Sequence, residues 1–97
     1  MLSLIVREVI QETEDTKSFV LEEENGNRIP YKAGQFITIV LMLNGHELRR
    51  SYSMSSAPEA DPLLIITVKK VVNGEVSRFL LEHVRKGTRL QALMPSG

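Results

Sequence analysis

A chain of 97 residues with 12 Lys plus Arg against 12 Asp plus Glu and no cysteine has room for one core and one domain. The even charge balance argues against nucleic-acid binding driven by overall basicity. The missing thiols rule out disulfides, thiolate metal sites and a cysteine-ligated iron-sulfur cluster within the segment.

The amino terminus, Leu2 to Ile10, is rich in Val, Ile and Leu and reads as a first strand. Met1 to Val6 is largely apolar but lacks a basic start and a cleavage-type continuation, so it makes a poor signal peptide, and cytoplasmic residence is the expectation. Lys17 to Glu23 forms a second strand, and Asn25-Gly26-Asn27 marks a loose turn after it. Ala33-Gly34 prepares a third strand, Phe36 to Leu43. At eight residues, apolar except for Thr38, that run falls far short of the ~20 residues of a membrane-crossing helix. Asn44-Gly45 tolerates the positive φ values of a type I′ turn and predicts a tight antiparallel hairpin into a fourth strand, Glu47 to Met54. A turn over Pro58 to Pro62 leads to a fifth strand, Leu63 to Val71, and Thr88 to Met94 supplies a sixth.

One segment leaves the period of two. From Glu75 to Arg85, Val76, Phe79, Leu80 and Val84 follow helical spacing, with Arg78, Glu82 and Arg85 towards the other side. Gly87 suits a left-handed cap after the last turn, where Arg85 and Lys86 would complement the helix dipole. Six strands and one short helix predict a mainly β fold, a six-stranded antiparallel Greek-key barrel, because closure removes exposed strand edges.

The chemistry concentrates in Arg50-Ser51-Tyr52-Ser53-Met54-Ser55-Ser56-Ala57-Pro58, which holds a cation, an aromatic ring and four serines. Along an extended strand Arg50 and Tyr52 share a face, about 6.5 to 7 Å apart. A guanidinium fork suits phosphate oxygens, and a tyrosine offers a flat surface with a polar tip. Gly74-Glu75-Val76-Ser77 opens the helix, where unpaired N–H groups make a phosphate cradle. In that turn Gly74 would allow close approach, Ser77 would add a hydroxyl, and Glu75 carries an unhelpful charge. His46 and His83 have no metal-ligand spacing beside them, so no metal site is expected.

These segments resemble the flavin domain of the ferredoxin-NADP reductase superfamily, in its oxygenase-reductase and flavohaemoglobin-like branch. Arg50-Ser51-Tyr52-Ser53 looks like the Arg-x-Tyr-Ser motif, and Ala33-Gly34-Gln35-Phe36 resembles the Gly-Gln-aromatic signature before a strand. Thr67-Val68-Lys69 resembles the fifth-strand segment beside the flavin ring, and Gly74 to Ser77 the Gly-x-x-Ser phosphate turn. The resemblance implies that Arg50 holds the flavin diphosphate, that Tyr52 lies against the isoalloxazine, and that Ser53 hydrogen-bonds the reactive N5. It also implies backbone contacts from Val68 and Lys69 to the pyrimidine edge, closure of Gly74, Glu75, Val76 and Ser77 around the phosphates, and a hydroxyl of Ser56 near the phosphates or ribityl chain. Strand alternation sets Ser53 opposite Tyr52, so this arrangement requires a bend or a strand end at that point.

The resemblance implies FAD, preferred to FMN by family frequency, with NAD(P)H as electron donor through a nucleotide-binding domain after Gly97 and an iron-sulfur or haem partner as acceptor. Pro95-Ser96-Gly97 resembles the start of the Pro-x-Gly-x-aromatic connection to that domain, and no G-x-G-x-x-G fingerprint is present in the segment. The competing reading is a non-redox barrel that contacts protein or RNA, since fold does not fix function; balanced charge and few aromatic residues disfavour RNA.

Overall fold

The computed structural model describes residues 1–56 and 63–97. The turn expected over Pro58 to Pro62, and Ala57 and Pro58 of the serine-rich stretch, lie outside the described residues. The elements in chain order are β1 (Leu2–Thr13), β2 (Thr16–Glu23), β3 (Phe36–Leu43), β4 (His46–Ser53), β5 (Leu64–Lys69), α1 (Glu75–His83) and β6 (Arg89–Ala92). All paired strands are antiparallel, in the order β4-β3-β6-β1-β2-β5. The last strand returns to fill the gap between β3 and β1, which gives the sheet its Greek-key path.

The six strands and the helix therefore stand where the sequence pattern puts them, and the ends differ for physical reasons. β1 continues to Thr13, past Ile10, because its polar tail is laddered to β2 down to the pair Thr13 and Thr16, an extension that burial does not drive. Register shifts after Val6 and after Gln11 bend this long strand. β5 stops at Lys69, and Val71 and Val72 stand 59% and 85% exposed beyond it. The Asn44-Gly45 hairpin is as expected, with φ values of 51° and 79° that match a type I′ turn.

The helix ends at His83, two residues before Arg85, and its C-cap Val84 is extended at φ −85°. Gly87, at φ +92°, serves instead in the turn that feeds β6. There Thr88 N–H returns to Arg85 C=O at 2.9 Å, Gly87 N–H reaches Val6 C=O at 2.7 Å, and Val6 N–H reaches Thr88 C=O at 2.9 Å. Competition from β1 thus takes the glycine away from the helix, and Arg85 and Lys86 lie outside the last helical turn.

The barrel is a partly open one. Among the described residues, the outer strands meet at the single bridge Met54 to Ile66, supported by Ser55 N–H to Ile65 C=O at 2.8 Å. Elsewhere β4 and β5 diverge, and α1 packs against both. Val76, Leu80 and Val84 turn into the core with Phe19, Leu21 and Ile66, each 3% exposed or less. The helix covers the gap that the ladder leaves.

A cavity at that wedge should be costly. Leu80→Ala is expected to lower the free energy of urea unfolding by about 2–5 kcal/mol, whereas Met42→Ala, at a side chain 67% exposed, should change it by no more than about 0.5 kcal/mol.

Candidate functional site

The alternation of β4 separates its side chains into two sets. Thr38 Oγ1 meets Ser51 Oγ at 2.8 Å and Arg49 Nε pairs with Glu47 at 3.0 Å on one face. Leu48, Arg50 and Tyr52 occupy the other, with Leu48 and Tyr52 half-buried against the core. Adjacent arginines therefore have different surroundings: Arg49 is ion-paired, and Arg50 donates one guanidinium hydrogen to its neighbour's carbonyl, Arg49 O, at 2.7 Å. Burial pushes the Tyr52 phenol above its ordinary 10.0, and the positive charge of Arg50 opposes part of that shift.

Arg50 and the helix N-terminus converge. A hollow of about 240 Å³ is lined by Arg50, Ser51, Tyr52, Val71, Gly74, Val76 and Ser77. The first intrahelical bond runs from Arg78 N–H to Gly74 C=O at 3.1 Å. Among the described residues, the backbone N–H groups of Glu75, Val76 and Ser77 have no acceptor, and they carry the positive end of the helix dipole. A guanidinium and three free donors beside a half-buried ring fit a ligand that has both phosphate and an aromatic plane. The volume lies below the roughly 300–1,000 Å³ of a complete small-molecule site, so the hollow could take only part of such a ligand.

Ser77 plays a part that sequence spacing alone does not suggest. Its side chain is 5% exposed, and its hydroxyl accepts from Val71 N–H and donates to Gly74 C=O, both at 3.2 Å. The oxygen braces the loop before the helix, so what Ser77 has left to offer a ligand is its backbone N–H. Gly74 is required by that brace, since a Cβ there would sit 2.7 Å from Ser77 Oγ and 2.9 Å from Val71 Cβ. Glu75 lines a separate depression with Leu43, Asn44 and Arg78 and is not among the residues that line the Arg50 hollow.

The other expected residues lie around this centre. Ser53 is exposed at the end of β4 opposite Phe36, and the strand does end there, but Ser53 does not line the hollow. Ser56 Oγ is bonded to Tyr31 OH at 2.6 Å and to Ile65 N–H at 3.1 Å, which fastens the chain after β4 to β5. Val68 is fully buried and laddered opposite Lys17. Ile65 uses its N–H and C=O towards Ser55 and Ser56, and Lys70 N–H reaches Asp15 C=O at 2.8 Å. By the alternation of an antiparallel strand, Lys69 turns its backbone groups to the side of β5 away from β2, as Ile65 does, and Val68 turns its own to β2. Ser51, the variable position of the Arg-x-Tyr-Ser motif, and Val71, shortly before Gly74, line the hollow although the sequence pattern assigns neither a role.

The fold is that of a flavin-type domain, and comparison with known proteins gives its family. Residues 3–97 match the family model described as the oxidoreductase FAD-binding domain, and the chain belongs to that family. It is 37% identical over its whole length to the ferredoxin reductase component of 3-ketosteroid-9-alpha-monooxygenase from Mycolicibacterium smegmatis, of which it covers 29%. The flavohem-like FAD/NAD binding domain of nitric oxide dioxygenase from Vibrio cholerae O1 biovar El Tor superposes with a TM-score of 0.87 at 30% identity, over 99% of this chain and 44% of that one. Phthalate dioxygenase reductase, described as a modular structure for electron transfer from pyridine nucleotides to [2Fe-2S], superposes with a TM-score of 0.84 at 26% identity, over 99% of this chain and 30% of that one. The chain thus spans less than a third of the curated relative's length.

Two measurements test the local geometry. Gly74→Ala should cost about 1–3 kcal/mol in urea unfolding through overpacking; Gly74→Ala combined with Ser77→Ala should recover part of that loss, because the nearest clashing atom is gone. In ultraviolet titration Tyr52 should ionise above 10.0, and Arg50→Ala should raise its midpoint further by removing the opposing charge. The unfolded chain gives up this phenolic proton first, so the Tyr52 contribution to stability is present below pH 10.0 and falls as pH rises past it.

Proposed function

We propose that this chain is the flavin-holding module of an NAD(P)H-dependent electron-transfer oxidoreductase, with FAD as its cofactor. The observation that carries the reading is the convergence of Arg50, Tyr52 and the first turn of α1 on one hollow. Arg50 and the free N–H groups of Glu75, Val76 and Ser77 would hold the diphosphate, and Gly74 keeps the loop close enough to present them. Tyr52 would supply a face for the ring system. Ser53, at the end of β4, would place a hydroxyl at N5, where one rotating O–H donates to the oxidised atom or accepts from the reduced one. Lys69 would offer backbone groups from the β5 edge, with Val68 beneath as core support and Ser56 as a brace beside it.

Bound FAD would supply the redox chemistry, accepting two electrons as hydride and releasing them singly. The chain's own residues bind, orient and set the local charge. Hydride delivery requires a nicotinamide held near the flavin, a task for a nucleotide-binding unit beside this one, as in the similar FAD/NAD binding domain of nitric oxide dioxygenase. The similarity to a monooxygenase ferredoxin reductase component, to a reductase that passes electrons to [2Fe-2S] and to a flavohem-like domain supports an iron-sulfur or haem protein as electron acceptor, and cytoplasmic residence belongs to the same reading. The family match disfavours a non-redox barrel that contacts protein or RNA.

Titration of the purified chain with FAD should give flavin spectral shifts, and no binding at tens of micromolar would overturn the proposal. Arg50→Ala should weaken FAD binding about tenfold or more, through loss of a charge-assisted bond. Arg49→Ala, which breaks an exposed pair with Glu47, should change it less than about twofold.

A further inference from the structure

The carboxyl-terminal end of α1 lacks the glycine cap that its sequence suggests, and the last turn of a helix leaves carbonyls unpaired. One of them is met from far away in the chain. Lys17 Nζ, on β2, donates to Leu81 C=O at 2.7 Å. Glu14, Asp15 and Glu82 line the same groove, yet among the described residues no carboxylate comes within ion-pairing range of Lys17. The half-buried ammonium is spent on the helix, where it also complements the negative end of the dipole.

This contact fixes more than the end it touches. At about 1.5 Å per residue, the nine residues of α1 span about 13 Å. A pivot of about 10° would then move the opposite end by about 2 Å, enough to take its N–H groups out of hydrogen-bonding range. Val76 and Leu80 anchor the buried face, but apolar packing is non-directional and tolerates a small rocking motion better than a hydrogen bond does. We propose that Lys17 is a positioning residue for the phosphate-binding end of α1, aiming the N–H groups of Glu75, Val76 and Ser77 at the hollow from the far end of the helix. The proposal rests on the reading of that hollow as a flavin phosphate site.

The test compares two ligands that differ in phosphate. In Lys17→Met, which keeps the aliphatic stem, the dissociation constant for FAD should rise about threefold to tenfold. That for riboflavin, which has no phosphate, should change less than about twofold, and Lys17→Arg should restore FAD binding. Far-ultraviolet circular dichroism and thermal melting report whether the variant folds, and Lys17→Gln provides a second substitution if Lys17→Met does not. Equal weakening of both ligands, or of neither, would overturn the proposal if Arg50→Ala still discriminates between them. If Arg50→Ala also affects FAD and riboflavin alike, the phosphate site itself is misassigned and the role of Lys17 falls with it.

Discussion

The molecule depends on how α1 fills the split between β4 and β5. Among the described residues the outer strands touch at one bridge, and a six-stranded sheet joined in this way would leave two edges and a core open to water. Insertion of Val76 and Leu80 seals that opening with apolar area, worth roughly 25 cal/mol for each Å² removed from water. The same insertion brings the start of the helix beside Arg50 and Tyr52. Stability and site geometry therefore share one cause, since the side chains that close the core also bring two segments remote in sequence to a common hollow.

A second economy appears at Gly74 and Ser77. A serine in the first turn of a helix beside a guanidinium suggests a ligand contact, but here its hydroxyl turns inward and ties Val71 to Gly74. The donors left towards the hollow are backbone groups, which have no rotamer freedom to lose when a ligand arrives. Rigidity is thus built before binding, and the glycine follows from the tightness of that brace.

Most of this architecture was legible in the sequence because it is written in local patterns. Alternating Val, Ile, Leu and Thr gave the strands, Asn44-Gly45 gave the hairpin, and the spacing of Val76, Leu80 and Val84 gave the helix. The convergence of Arg50 with Gly74 followed from two motifs and a family resemblance. What was hidden depends on contacts between distant residues. The polar end of β1 is strand only because β2 ladders to it, and Gly87 leaves the helix because Val6 takes its N–H. Partial closure of the barrel, the inward turn of Ser77 and the reach of Lys17 to Leu81 have no signature in spacing or composition, since each is decided by what lies across the fold.

The modest size of the Arg50 hollow has a kinetic consequence. A flavin seated against a single wall keeps much of its surface in water, and each contact it lacks shortens its residence, because affinity differences between related complexes lie mainly in the dissociation rate. A second wall, tethered at high effective concentration, would slow escape without any change at Arg50 or Gly74. Under the proposed function, cofactor retention and assembly with a neighbouring unit would become the same event.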